Sequence, residues 1–140
     1  MDETVIVIML KNKETGFLEK EFDTLDIDEN IEYIVNIFAI EDDDIIKLHI
    51  KLSTDRDVKD WEYSAIYDYY DIEIYNDVAE VIDANDDYNP VWEFIIPYDD
   101  SALVKEKINM LLRLHKNEIE EVYNTIIDKE SIYDKEWRGE

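Results

Sequence analysis

The chain of 140 residues contains no cysteine and only two glycines, and each scarcity removes a class of chemistry. Without cysteine there is no thiolate nucleophile, Cys-ligated zinc, iron–sulfur cluster or disulfide. The two glycines, Gly16 and Gly139, stand far apart, and neither lies in a glycine-rich loop. P-loops and the dinucleotide-binding fingerprint both need such loops, so the sequence excludes nucleotide enzymes of these two types.

Basic residues are scarce as well. The chain has 14 Lys and Arg against 38 Asp and Glu, which gives a formal net charge of −24 at pH 7. Proteins bind DNA, RNA and anionic membranes through clustered Lys and Arg, and all three surfaces would repel this chain. We therefore expect no direct nucleic-acid binding and no membrane binding, and we expect partners that are cationic or small.

Long hydrophobic runs are also lacking. The run Val5 to Leu10 is far shorter than the roughly 20 residues of a membrane-spanning helix. The first residues, Met1 to Thr4, are acidic where a secretory signal carries Lys or Arg, so the sequence predicts a cytoplasmic protein. Hydrophobic residues still form 46% of the chain, which is too much for a chain kept disordered by its charge. With no repeat, Pro-rich linker or low-complexity block, residues 1–140 are expected to form one domain.

Hydrophobic patterning in the first half of the chain predicts strands and one helix. The run Val5 to Leu10, a glycine turn and the apolar residues that follow indicate a β-hairpin. Asp26 and Glu29 have the spacing of a helix capping box, and apolar residues then recur at helical spacing, which predicts a helix over residues 27–39. In residues 45–52, apolar residues alternate with Lys and His, as is typical of a half-buried strand.

The second half of the chain contains a second hairpin and a long helix. Residues 72–82 and 91–96 are rich in β-branched and aromatic residues and flank a polar turn, which predicts the hairpin. Residues 54–70 fit a helix or a strand, and we favour a short helix. From about residue 100 to 128 the apolar residues keep a helical period, and the tail after about residue 131 is expected to fray. The expected fold is α+β, with a mainly antiparallel sheet of about five strands and the two main helices packed on one face.

No motif predicts a metal or a cofactor. The acidic stretches that begin at Asp26 and Asp83 start like calcium loops, because alternate carboxylates can wrap a hard cation. Both lack the glycine that such loops need at their sixth position and the glutamate that they need at their twelfth. Capping and turn formation explain these stretches better, so no metal site is assigned.

The chain has two histidines, His49 and His115, and neither has the spacing of a metal or hydrolase motif. His115 falls on the apolar stripe of the long helix, which favours a hydrogen-bonded core histidine over a general base. His49 lies between Lys47 and Lys51 on the open face of its strand, and the three form one small basic row. We name no catalytic residue and predict that the protein is not an enzyme.

The distribution of charge is the feature that suggests a function. Residues 60–104 contain thirteen acidic residues and no Lys or Arg, so more than half of the net charge lies in about a third of the chain. The same segment holds seven of the ten tyrosines. Carboxylates can steer a basic protein toward this segment, and aromatic rings can anchor it through desolvated and cation–π contacts. The candidate partner-binding residues are Asp60, Trp61, Glu62, Tyr67, Asp68, Asp71, Glu73, Asp77, Asp86, Asp87 and Tyr88.

The leading hypothesis is a non-enzymatic, intracellular protein that docks a basic macromolecule through residues 60–100, as an immunity or inhibitor protein or as a DNA mimic. A plainer interpretation carries equal weight: the tyrosines fill a sheet, and the acidity only maintains solubility. The alternative function is a small structural or regulatory domain that forms a homodimer through its C-terminal helix. Its apolar stripe, which includes Leu111, Leu112, Leu114 and Ile119, is wider than a packing seam requires.

Overall fold

The computed structural model describes residues 4–27, 29–84 and 88–137, and its fold is α+β, as predicted. Six strands form one mixed sheet, one strand more than the sequence suggested. They are β1 (Thr4–Lys11), β2 (Leu18–Ile27), β3 (Ile34–Asp42), β4 (Ile45–Ser53), β5 (Glu80–Asp83) and β6 (Val91–Pro97). Their order in the sheet is β2-β1-β3-β4-β6-β5. β1 and β3 are parallel, and the other four neighbouring pairs are antiparallel.

The first hairpin, β1 and β2, is confirmed. The chain reverses at Asn12, whose amide N–H donates to the carbonyl of Phe17 (2.8 Å) and whose carbonyl accepts from the N–H of Gly16 (2.9 Å). Gly16 has a φ of 77°, a left-handed conformation that glycine adopts without steric cost. The hairpin turn therefore depends on the one glycine available to it.

The helix predicted over residues 27–39 is wrong. Ile27 ends β2, residues Ile31–Tyr33 form a single 3₁₀ turn, and β3 begins at Ile34. Asp26, the supposed helix cap, is paired with Val5 inside the first hairpin.

The pattern of β3 fits a helix because both faces of this strand carry apolar side chains. Ile37 and Ala39 point to one face and Phe38 to the other, so the run fits a helical period as well as a strand. These residues form a strand because they pair with β1 on one side and with β4 on the other.

The second hairpin, β5 and β6, is also confirmed, but its first strand is much shorter than the predicted residues 72–82. Residues Ile72–Tyr75 form another 3₁₀ turn, capped by the Asp71 carboxylate, which accepts the amide N–H of Glu73 (3.0 Å). The side chain of Tyr75 is fully buried. This turn therefore inserts a ring into the core before the chain reaches the sheet edge.

Three helices complete the described part of the fold: α1 (Asp60–Tyr69), α2 (Ser101–Ile126) and α3 (Glu130–Trp137). α1 is the short helix favoured for residues 54–70, and α2 is the predicted long helix, about 39 Å long at about 1.5 Å per residue. α3 occupies the tail that was expected to fray. The hydroxyl of Tyr133 in α3 donates to Asp68 of α1 (2.6 Å), so the chain turns back after α2 and packs on α1.

The core lies between one face of the sheet and the helices. Trp92 and Phe94 of β6 contact the ring of His115 on α2, with centroids 5.6 and 6.2 Å apart. Leu48 and Ile50 of β4 point to the same side and are fully buried. On the opposite face, Val5, Val7, Ile45 and Ile82 remain exposed, so the described helices leave that face largely open.

Candidate protein-interaction surface

One predicted partner-binding residue, Glu62, instead forms hydrogen bonds within the chain at the start of α1. The carboxylate of Glu62 is 9% exposed and accepts hydrogen bonds from the Arg56 guanidinium (2.9 and 3.2 Å) and from the amide N–H of Lys59 (2.9 Å). The hydrogen bonds from Arg56, more than any other contact, hold the pKa of Glu62 below its usual value. Glu62 therefore fixes the beginning of α1, whereas Asp60 is exposed to solvent.

Two aromatic candidates on α1 face inward. The hydroxyl of Tyr67 donates to the carbonyl of Val91 (3.1 Å) and accepts from the amide N–H of the same residue (3.0 Å). Burial raises the pKa of Tyr67, so the hydroxyl keeps its proton at neutral pH. Trp61 is half-buried, and its indole N–H finds no acceptor within the part of the chain that the structure describes. Tyr67 thus holds α1 to β6, and Trp61 packs against the core, so neither ring is fully available to a partner.

Two other rings of the acidic segment do face solvent. Tyr88, a predicted partner-binding residue, is 79% exposed. Tyr69, which was not predicted, is 41% exposed, and the ammonium of Lys129 lies 5.5 Å from the centre of its ring. The aromatic anchors available to a partner are therefore fewer than the sequence suggested.

The carboxylate candidates behave differently from the rings, because most of them are exposed. They follow α1, the 3₁₀ turn after it and the loop toward β5. The exposed members are Asp60, Asp68, Asp71, Glu73 and Asp77. Asp86 and Asp87 lie outside the described residues.

α2 adds a carboxylate that the sequence did not point to. The carboxylate of Glu118 accepts the amide N–H of Asp71 (2.9 Å). Burial raises the pKa of Glu118, and the negative charges of Glu121 and Asp71 raise it further. Asp71 and Glu118 are 47 residues apart in the chain, and nothing in the local pattern of either residue indicates the contact.

His115 lies in the core and is completely buried. Its Nε2 is 2.7 Å from the carbonyl oxygen of Ser53, and its Nδ1 is 2.8 Å from the hydroxyl of Tyr70, which is 2.7 Å from the hydroxyl of Tyr75. These contacts fit one chain of donors: Nε2–H to Ser53, Tyr70 to Nδ1, and Tyr75 to Tyr70. Burial lowers the pKa of His115 to about 4, so the ring is neutral at pH 7. The arrangement is that of a core histidine with both nitrogens satisfied.

The basic row Lys47, His49 and Lys51 lies on the sheet face away from the helices. The His49 ring stacks on Phe38 of β3, with centroids 5.1 Å apart and planes 8° apart, and its Nδ1 is 3.4 Å from the Glu93 carboxylate. This row therefore lies on the sheet face opposite the helices and is well separated from the core histidine.

The apolar stripe of α2 is buried within the fold. Leu111, Leu112 and Ile119 are at most 1% exposed, and Leu114 is half-buried. The stripe proposed for a homodimer is thus already covered by the sheet and by α1. Its width reflects packing against two elements.

Within residues 4–27, 29–84 and 88–137, no group of three or more His, Asp and Glu side chains is placed to hold a metal ion. No helix among these residues is long and apolar enough to span a membrane.

The fold and surface define an acidic α+β protein with helices on one face of a mixed sheet and exposed carboxylates around α1. Residues 1–134 match the model of a family of unknown function, DUF6762, and the chain belongs to this family. No curated protein and no solved structure matches the chain.

Proposed function

We propose that this protein is a non-enzymatic intracellular binding protein that docks a basic macromolecular partner. We define its acidic surface as Asp60, Asp68, Asp71, Glu73 and Asp77. One observation carries the proposal: these five carboxylates are exposed along residues 60–77, a continuous stretch without Lys or Arg. The proposal is narrower than the segment 60–100 expected from the sequence, since several rings of that segment are used in the core.

Two carboxylates of the acidic surface are held in place by the fold. Asp68 accepts the hydroxyl of Tyr133, and Asp71 caps the following 3₁₀ turn. Fixed charges lose little conformational entropy when they pair with Lys or Arg of a partner. Tyr69, next to Asp68, offers an exposed ring to the same partner.

The electrostatic contribution should be largest during encounter. Exposed charges attract a partner over distances comparable to the Debye length, about 30 Å at 0.01 M salt and about 8 Å at 0.15 M. Such steering raises the association rate more than it slows dissociation. Binding to the acidic surface should therefore weaken as salt increases.

Two versions of the partner remain within the proposal. An immunity or inhibitor protein would block the basic active site of a toxin or nuclease, and a DNA mimic would occupy the phosphate-binding groove of a DNA-binding protein. Duplex DNA should compete with a DNA mimic at equilibrium. An inhibitor should instead abolish the partner's activity at a one-to-one ratio.

The proposal is tested by capture at low salt, followed by kinetics with the purified partner. Immobilised protein should retain a basic protein from a lysate of its own cells, and raising the salt should release it. The triple variant Asp60→Lys, Glu73→Lys and Asp77→Lys should slow association at least tenfold and change dissociation less. These three positions are chosen because Asp68 and Asp71 also stabilise the fold.

A matched control reverses three exposed acids elsewhere: Glu14→Lys, Glu29→Lys and Asp128→Lys. It changes the net charge equally, so an equal loss of binding would show that total charge, and not the acidic surface, attracts the partner. Recovery of no cationic protein at low salt would contradict the proposal.

The proposal includes the cytoplasmic location expected from the sequence, and cell fractionation tests this location.

A further inference from the structure

The sheet face that the helices leave uncovered, which we call the outer sheet face, carries apolar residues where a solvated face usually carries polar ones. Four of its apolar side chains are strongly exposed: Val5 (59%), Val7 (47%), Ile45 (56%) and Ile82 (44%). Met9, Ile40 and Ile95 are half-buried beside them. β1 in particular is apolar on both faces, as in a strand that is covered on both sides.

The strand register places these residues on one face. Residues aligned across neighbouring strands point to the same side of a sheet. One such row runs across five strands, through Met9, Phe38, His49, Ile95 and Glu80. The ammonium of Lys11 lies 4.5 Å from the centre of the Phe38 ring, and the His49 ring stacks on Phe38, which confirms that these groups share the face.

The outer sheet face is nearly neutral in a chain that is strongly acidic. Its lysines are Lys11, Lys47 and Lys51, and its carboxylates, assigned by the same register, are Glu21, Asp26, Asp42, Glu80 and Glu93. Three positive charges thus stand against five negative ones, one of which, Asp42, pairs with the ammonium of Lys13 (2.8 Å), while the whole chain carries −24. Two copies of the chain repel each other least when they meet through this face.

The size of the face also suits a second copy. Six strands about 4.8 Å apart, each about seven residues long at about 3.4 Å per residue, span roughly 700 Å². A stable interface of standard size buries about 800 Å² on each partner. Two sheets can pack face to face about 10 Å apart, with their apolar side chains interleaved.

We propose that this protein self-associates as a dimer in which the outer sheet faces of two copies pack together. The interface is apolar at Val7, Met9 and Ile40, and lysines and carboxylates of the two copies lie among these residues. The helices stay on the outside of the dimer, together with Asp68, which accepts the hydroxyl of Tyr133 on α3, and Asp71, whose amide donates to Glu118 on α2. Asp77 lies at the edge of the outer sheet face, beside Lys47, Glu80 and Ile95. The inference is independent of the proposed function, because its interface is built from strand residues outside the acidic surface.

The experiment measures mass by sedimentation velocity and light scattering. The protein concentration runs from about 5 µM to about 500 µM, which covers the micromolar dissociation constants expected of a weak dimer. Wild type should approach twice its monomer mass of 16.8 kDa. Raising the salt should strengthen the dimer, because screening reduces repulsion between two acidic chains. Capture of a basic partner should respond to salt in the opposite way, so the two proposals can fail separately.

Two variants place a charge in the interface: Val7→Lys and Ile45→Lys. Each should weaken the dimer at least tenfold. The matched control is Ile127→Lys, which changes an equally apolar and more exposed residue (77%) at the end of α2, away from the outer sheet face. Circular dichroism confirms folding, and Ile45→Lys serves if Val7→Lys does not fold.

A wild-type protein that stays monomeric at every concentration and salt would overturn the inference. So would a dimer that persists in both interface variants, or one that the Ile127→Lys control disrupts equally. Loss of the dimer in the interface variants alone supports it.

Discussion

At the scale of single residues, the buried histidine has its hydrogen-bonding groups fully satisfied. His115 has a hydrogen-bond partner at each ring nitrogen, and one of them, Tyr70, passes the chain on to Tyr75. A histidine on the apolar stripe of a helix was expected to be a core residue. Its partners at positions 53 and 70 come from separate parts of the chain and could be found only from the fold.

The first prediction concerns the pH dependence of stability. Burial lowers the pKa of His115 to about 4, against 6.5 in the unfolded chain, so between these values the unfolded state binds the extra proton. Stability is therefore intact above pH 6.5 and is lost as the pH falls toward 4, by about 2 kcal/mol at pH 5 and about 3 kcal/mol at full effect.

Urea unfolding of wild type and His115→Gln between pH 7.5 and 4 measures this loss. The many carboxylates titrate in both proteins, so the difference between the two curves isolates the histidine. Parallel curves would contradict the prediction.

The second prediction concerns the hydroxyl of Tyr70. Tyr70→Phe leaves the Nδ1 acceptor of His115 and the hydroxyl of Tyr75 buried without their partner. Unsatisfied buried polar groups cost about 1–3 kcal/mol, and the free energy of unfolding should fall by this amount. Tyr69→Phe, the neighbouring and exposed control, should change it by less than about 0.5 kcal/mol. Equal effects of the two variants would exclude the network as a source of stability.

At the scale of elements, the local sequence predicts an element well where one hydrophobic period dominates. The long helix α2 begins where Asp100 accepts the N–H groups of Ala102 and Leu103, and its single apolar stripe made it predictable. β3 was missed because a strand that is apolar on both faces has no distinct period. The choice between strand and helix was made by pairing with β1, a partner about 29 residues away in the chain.

The third prediction concerns the ion pair at the start of α1. Arg56→Ala leaves the Glu62 carboxylate, which is mostly buried, without its guanidinium, and Glu62→Gln removes the charge that Arg56 needs. Each variant should lose about 1–2 kcal/mol, a modest value because the Arg56 side chain is 45% exposed.

A double-mutant cycle with both changes should give a coupling energy of about 1 kcal/mol between the two side chains. Lys59→Ala, which keeps the amide N–H that Glu62 accepts, should be nearly neutral. Additive single effects would show that the two side chains act independently.

At the scale of the whole molecule, the charge of the middle segment was predictable and the orientation of its side chains was not. The absence of Lys and Arg from residues 60–104 can be read directly from the sequence. The sequence could not show that Tyr67 and Tyr75 would turn inward, because filling the space between a six-stranded sheet and its helices decides this. The exposed carboxylates of the acidic surface follow a simpler rule, since an unpaired charge is costly to bury.

The last prediction concerns the field of the folded chain. A net charge of −24 on 140 residues makes the folded state repel itself more than the expanded unfolded state does. Salt screens this repulsion, so the free energy of unfolding in urea should rise between about 0.01 M and 0.5 M NaCl, as the Debye length falls from about 30 Å to less than about 8 Å. The variant with Asp60, Glu73 and Asp77 changed to Lys lowers the charge to −18 and should show a smaller rise. Dimer formation would also stabilise the folded state, so the measurement is repeated on the interface variant Ile45→Lys. If the salt dependence vanishes in this variant, the whole effect comes from association and not from repulsion within one chain.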